Sequence, residues 1–74
     1  MKHASINVKK FTVKENEGFR VRVELWEALS PKGLYAIDMI QESLDKTGNV
    51  ADVSTYNFHM TKDEIKALCE GLMA

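Results

Sequence analysis

Apolar and polar positions alternate with a period of two along much of the chain, which is the repeat of a half-buried β-strand. In the stretch GFRVRVELWEAL, residues 18–29, the apolar side chains fall on one face and the charged ones on the other. The apolar row is Phe19, Val21, Val23 and Leu25, and the opposite row is Arg20, Arg22, Glu24 and Trp26. A tryptophan therefore shares a strand face with both arginines of the chain.

A second alternating segment precedes this one and predicts a hairpin. The apolar positions of residues 5–13 shift phase by one residue around Lys9 and Lys10, which indicates a β-bulge. The polar segment KENEG, which ends at Gly18, separates the two alternating runs and is typical of a turn.

The C-terminal segment predicts a helix with a well-defined start. In MTKDEI, Thr61 is placed as the N-cap and Glu64 as the third helical residue, the spacing of a capping box, and Met60 and Ile65 flank it as a hydrophobic staple. Apolar residues then follow at helical spacing: Ile65, Leu68, Cys69 and Leu72. We expect this stripe to cover the Phe19 row of the sheet.

The segment from Leu34 to Gly48 fits two structures. As a helix, with Ser30 as N-cap and Pro31 as the first helical residue, its apolar and charged residues fall on opposite sides. As a strand, it pairs across a DKTG turn with NVADVSTYNFHM. The strand pairing predicted in that case sets Tyr35 opposite Phe58, Ile37 opposite Tyr56, and Met39 opposite Ser54.

We favour the strand, because its apolar residues then continue the Phe19 row. The predicted fold is α+β: a four-stranded antiparallel meander with one C-terminal helix packed on one face, in the order ββββα. The alternative, with Leu34 to Lys46 helical, is ββαβα. Either is a single small domain over residues 1–74, with residues 1–4 frayed.

Composition is that of a soluble globular protein, with 45% hydrophobic and 28% charged residues and a net charge of −1. Residues 1–32 hold seven Lys/Arg against four Asp/Glu, and residues 33–74 hold three against seven. Neither half is basic enough to indicate a nucleic-acid-binding domain by itself. One cysteine, no signal-peptide pattern and no membrane-length apolar run lead us to expect a cytoplasmic protein without a membrane partner.

Candidate chemical groups are few, and we expect no enzymatic activity. Cys69 lies on the helix stripe, where we expect a buried, unreactive thiol. His59 fits an exposed strand position and His3 a frayed terminus, and no spacing of ligands indicates a metal site. No phosphate-binding glycine motif occurs, so we expect no cofactor.

The face that carries Trp26 is the most informative surface. With the helix on the other side, the candidate binding residues are Arg20, Arg22, Glu24, Trp26, Asp38, Ile40 and Val53. An aromatic anchor with a charged rim is typical of a protein contact, made with another protein or with a second copy in a homodimer, and a partner strand could also add at a sheet edge. The alternative is single-stranded nucleic acid, with bases stacked on Trp26 and phosphates near Arg20, Arg22 and the lysines of the first strand. The simpler interpretation is structural, with arginine stems lying over the indole.

Overall fold

A computed structural model describes residues 4–30 and 32–74. Its elements are β1 (Ser5–Asn16), β2 (Phe19–Ala28), β3 (Leu34–Leu44), β4 (Val50–Thr61) and α1 (Lys62–Met73). The four strands form one antiparallel sheet in the order β1-β2-β3-β4. The predicted ββββα order is confirmed, and the ββαβα alternative is wrong.

Tertiary pairing decides the structure of β3, whose sequence also fits an amphipathic helix. As a central strand, β3 pairs along its length with β2 on one side and β4 on the other. Both rows of its backbone groups are thereby hydrogen-bonded within the sheet, and this outweighs a helix preference that local sequence sets only weakly.

Two turns fix the hairpins through backbone and side-chain geometry. Gly18 closes the β1–β2 hairpin with φ of 79°, a conformation that glycine adopts without steric cost. In the β3–β4 turn, Asp45 Oδ1 accepts hydrogen bonds from the Thr47 hydroxyl at 2.6 Å, the Thr47 N–H at 2.9 Å and the Asn49 N–H at 3.0 Å. The side chain of Asp45 therefore holds the whole turn.

The observed strand register differs from the predicted one by two residues. Tyr35 lies opposite Met60 rather than Phe58, Ile37 opposite Phe58, and Met39 opposite Tyr56. The prediction was wrong because residues on one face repeat every two positions, so a two-residue slip preserves the faces and leaves no signature in the alternation.

The predicted bulge in β1 is present, and a second one accompanies it. The pairing of β1 with β2 shifts between Asn7 and Lys9, next to the expected position, and again between Thr12 and Lys14. The first shift places Phe11 on the same face as Val23, and the second places Lys14 on the same face as Val21.

The helix begins as predicted but does not cover the sheet. Thr61 and Glu64 form the capping box, with the Thr61 N–H donating to Glu64 Oε1 at 2.9 Å. The helix packs chiefly against β4, and no residue of Lys62–Met73 is buried. The expected burial of Cys69 is wrong: its thiol is exposed, because the stripe to which it belongs has no layer opposite it.

The result is a flat structure, 43 × 38 × 15 Å, with very little interior. Within residues 4–30 and 32–74, Ile40 is the only buried hydrophobic residue and Glu42 the only buried charged one. The predicted fraying of residues 1–4, and with it His3, falls mainly outside the described residues. The carbonyl of Ala4 accepts a hydrogen bond from the Leu29 N–H at 3.1 Å.

Candidate functional site: the two faces of the sheet

The structure brings all the predicted binding residues onto one surface, which we call the Arg–Trp face. Arg22 pairs with Ile40, Glu24 with Asp38, and Val53 lies opposite Glu42 on the same face. Strands β2, β3 and β4 contribute to this face Arg20, Arg22, Glu24, Trp26, Ala36, Asp38, Ile40, Glu42, Val53, Thr55, Asn57 and His59.

Glu42 is the centre of an ion-pair cluster on this face. Its Oε1 atom accepts a hydrogen bond from Arg20 Nε at 2.7 Å and another from Arg22 Nε at 3.0 Å. Arg22 also donates through Nη1 to Glu24 Oε2 at 3.1 Å. The Glu42 residue is only 6% exposed. Both arginines are therefore already paired within the chain.

The electrostatics of the cluster favour the charged form of each member. The hydrogen bond from Arg20, followed by that from Arg22, lowers the pKa of Glu42. In return, the hydrogen bond to Glu42 raises the pKa of Arg20 and of Arg22. The carboxylate and both guanidinium groups thus remain ionised across the ordinary range of pH.

Sequence reasoning did not include Glu42 in the site. Two signals were present: Glu42 shares the strand parity of Asp38 and Ile40, and an acidic residue opposite an arginine is a favourable cross-strand pair. To predict the pair of Arg20 with Glu42, however, one needs the register of β2 against β3, and the alternation of apolar and polar residues does not determine that register.

Elsewhere on the face lie a polar pair and two apolar residues, Ile40 and Val53. Asn57 Nδ2 donates to Asp38 Oδ1 across the β3–β4 pair. Ile40 is 8% exposed beneath the neighbouring long side chains, whereas Val53 on the edge strand is exposed. In the predicted apolar centre, the row of Glu24 and Asp38 separates Trp26 from Ile40, whereas Val53 is a diagonal neighbour of Ile40.

Trp26 lies at one end of the face, next to Glu24 of the ion-pair cluster. It is half-buried and lines a hollow of about 290 Å³ together with Ala28, Leu34, Ala36 and His59. Its Nε1 atom is buried and donates to no acceptor among the described residues. The cation–π contact found in the described part of the chain is a different one, with Lys14 Nζ 5.6 Å from the centre of the Phe19 ring.

The opposite surface, which we call the apolar face, is the larger hydrophobic feature of the molecule. Phe11 is 49%, Tyr56 55% and Phe58 46% exposed, and Met39 beside them is exposed as well. The strand pairings assign to this face Phe11, Phe19, Val21, Val23, Leu25, Ile37, Met39, Tyr56, Phe58 and Met60. A shallow groove of about 180 Å³ follows Val21, Met39, Tyr56 and Phe58.

The remaining chemistry of the described residues is sparse. No group of three or more His, Cys, Asp or Glu in residues 4–30 and 32–74 is placed to hold a metal ion. In the same ranges, no helix has the length and hydrophobicity needed to cross a membrane. The features that distinguish the molecule are therefore its two sheet faces.

Comparison with known proteins adds no assignment: the chain matches no family model, no curated protein and no solved structure.

Proposed function

We propose that the protein is a small non-catalytic protein-binding module, an adaptor, inhibitor or regulatory subunit of the cytoplasm, and that its apolar face makes the contact. The observation that supports this proposal is the exposure of Phe11, Tyr56 and Phe58 on one side of a single-layer sheet. A contiguous surface of aromatic and aliphatic side chains marks an interaction site in a folded protein. Aromatic residues are also the most frequent anchors of protein interfaces.

The Arg–Trp face is a weaker candidate for the main contact. Arg20 and Arg22 already donate to Glu42, so a partner must compete with a partly buried ion pair that the fold satisfies. The accessible apolar part of the Arg–Trp face is the hollow beside Trp26. This hollow has room for one side chain of a partner and is too small to form a whole interface. We assign the Trp26 end a secondary role in binding.

The same pairing disfavours the nucleic-acid alternative. Phosphate binding needs cationic groups free to replace counterions, and both arginines of the chain are neutralised by carboxylates of their own face. Lys10 lies on this face, but Glu15 of the same strand faces Arg20. Protein is therefore the partner class that the surface favours.

Affinity capture with the tagged full chain tests this function. Lysate of the organism that makes the protein is applied with and without nuclease, to three forms: wild type, Phe58→Glu on the apolar face and Trp26→Ala on the Arg–Trp face. We expect retained protein, a second copy included, to resist nuclease and to be lost with Phe58→Glu. Retention that depends on nucleic acid, or that is equal for all three forms, contradicts the proposal.

A further inference from the structure

We propose that the partner of the apolar face is a second copy of this chain, and that the folded unit is a homodimer with two sheets packed face to face. This inference rests on the proposed function and names the occupant of the same surface. Three observations carry it: the missing second layer, the accessible area and the charges at the rim of the face.

The first observation is that the chain by itself lacks a two-layer core. A domain normally buries the apolar side of a sheet against a second layer, about 10 Å away in a β-sandwich. Here the helix packs chiefly against β4, and the apolar row of β2 is only half-buried. A second sheet supplied by another chain provides the layer that is missing.

The second observation is the accessible area, which gives the size of the missing contact. The chain exposes 5874 Å². A folded monomer of 8.4 kDa is expected to expose about 4,600 Å². The excess is on the order of 1,000 Å² per chain, which is the area that each subunit of an obligate homodimer buries. A second copy of the chain is therefore large enough to cover this excess area.

The third observation is the distribution of charge at the borders of the apolar face. Lys9 and Lys14 lie on this face at the β1 edge, and Asp52 lies on it at the β4 edge. A two-fold axis parallel to the strands places β1 of each chain over β4 of the other. The β1 edge that carries Lys14 then meets the β4 edge that carries Asp52 twice, once on each side of the dimer.

The positions along the strands agree with this arrangement. Lys14 lies opposite Val21, and Asp52 lies opposite Ser43, which is itself opposite Phe19. The two charged residues therefore differ by two strand positions, about 7 Å along the sheet. With the sheets about 10 Å apart, the Cα atoms of Lys14 and of Asp52 in the other chain lie about 12 Å apart, which an extended lysine and an aspartate side chain bridge.

Sedimentation equilibrium of the full chain between about 1 and 100 μM tests the dimer, because its population depends on protein concentration. We expect a mass twice the 8.4 kDa of the chain. Tyr56→Lys should raise the dissociation constant by about 30-fold or more, as expected for an interface anchor. Thr55→Lys is the matched control, because the adjacent residue is also exposed but points to the Arg–Trp face.

A pair of charge reversals at exposed positions tests the geometry while keeping every apolar side chain, although Lys14→Glu also removes the cation–π contact with Phe19. Lys14→Glu or Asp52→Lys alone should weaken dimerisation by about 3-fold to 10-fold, and the two together should restore it. If the double variant dimerises more weakly than either single variant, the two-fold arrangement is contradicted. Should Tyr56→Lys fail to fold by circular dichroism, this pair decides the test.

The outcomes separate the dimer from the broader function. A mass of 8.4 kDa at every concentration, with an intact sheet by circular dichroism, overturns the dimer. Equal loss of dimer with Thr55→Lys and Tyr56→Lys also overturns it, since the interface is then not the apolar face. If the monomeric protein still captures another protein through Phe58, the proposed function stands without the dimer.

Discussion

Arg20 on β2 and Glu42 on β3 lie directly opposite each other, and Arg20 Nε donates to Glu42 Oε1 at 2.7 Å. The same oxygen accepts from Arg22, which also donates to Glu24, so two carboxylates balance the charges of the two arginines of the chain. This relationship turns a row of like charges on β2 into a stabilising cluster. As a result, the charged groups of the Arg–Trp face, which was predicted to bind, already have partners within the chain, whereas the aromatic side chains of the apolar face are exposed.

Glu42→Gln should destabilise the protein at neutral pH and change how its stability depends on pH. Because the folded protein lowers the pKa of Glu42 from its ordinary 4.5, this carboxylate contributes stability above that value. The contribution is lost as the pH falls through the lower, folded-state pKa. Urea unfolding at fixed protein concentration should show wild type and variant furthest apart at pH 7 and converging below pH 4.5.

The matched control is Glu70→Gln, which removes one negative charge from an exposed position on α1. It should leave stability at pH 7 nearly unchanged. A gap between wild type and Glu42→Gln that stays constant down to the acid limit of folding would contradict the role given to the carboxylate.

Thr61→Ala should destabilise the helix by about 1 kcal/mol, because it removes the N-cap acceptor for the Glu64 N–H. Thr61→Ser keeps the hydroxyl and should retain most of the stability. Circular dichroism and urea unfolding measure both variants. Equal losses for alanine and serine would show that the hydroxyl hydrogen bond is not the source of the effect.

Gly48→Ala and Gly71→Ala should change stability in opposite directions. Gly48 has φ of 86°, and a methyl group added at its Cα would meet open space, so alanine there costs about 1 kcal/mol through backbone strain alone. Gly71 is helical with equally open space, and alanine there should add about 0.5 kcal/mol or more through helix propensity. Unfolding midpoints that move in the same direction for both would contradict this assignment.

Single-stranded oligonucleotides should not bind in a salt-sensitive way even at low ionic strength. Two arginines released to contact phosphates would give a slope of about −1.4 for log affinity against log salt concentration. Because Arg20 and Arg22 are paired with Glu42, we expect no such slope. Fluorescence anisotropy of a labelled oligonucleotide measures it. A slope of that size, together with an affinity that Trp26→Ala lowers at every salt concentration, would instead support the nucleic-acid alternative.

The local sequence was sufficient for β2, for a bulge in β1 and for the start of α1, but it left β3 open between a strand and a helix. Alternation identified β2 and its two rows, the phase shift near Lys9 located a bulge, and the spacing of Thr61 and Glu64 marked the start of the helix. These features depend only on residues a few positions apart in the chain, so the local sequence is enough to predict them.

Tertiary structure alone decided the register, the placement of the helix and the pairing of Glu42. A two-residue slip of β4 keeps every side chain on its face, so only cross-strand contacts select Met60 over Phe58 as the neighbour of Tyr35. The apolar stripe of α1 predicted a contact but not its location. An amphipathic pattern shows which side of a strand or helix is apolar, but it does not show which other element packs on that side. The exposure of the apolar face therefore follows only from the tertiary structure.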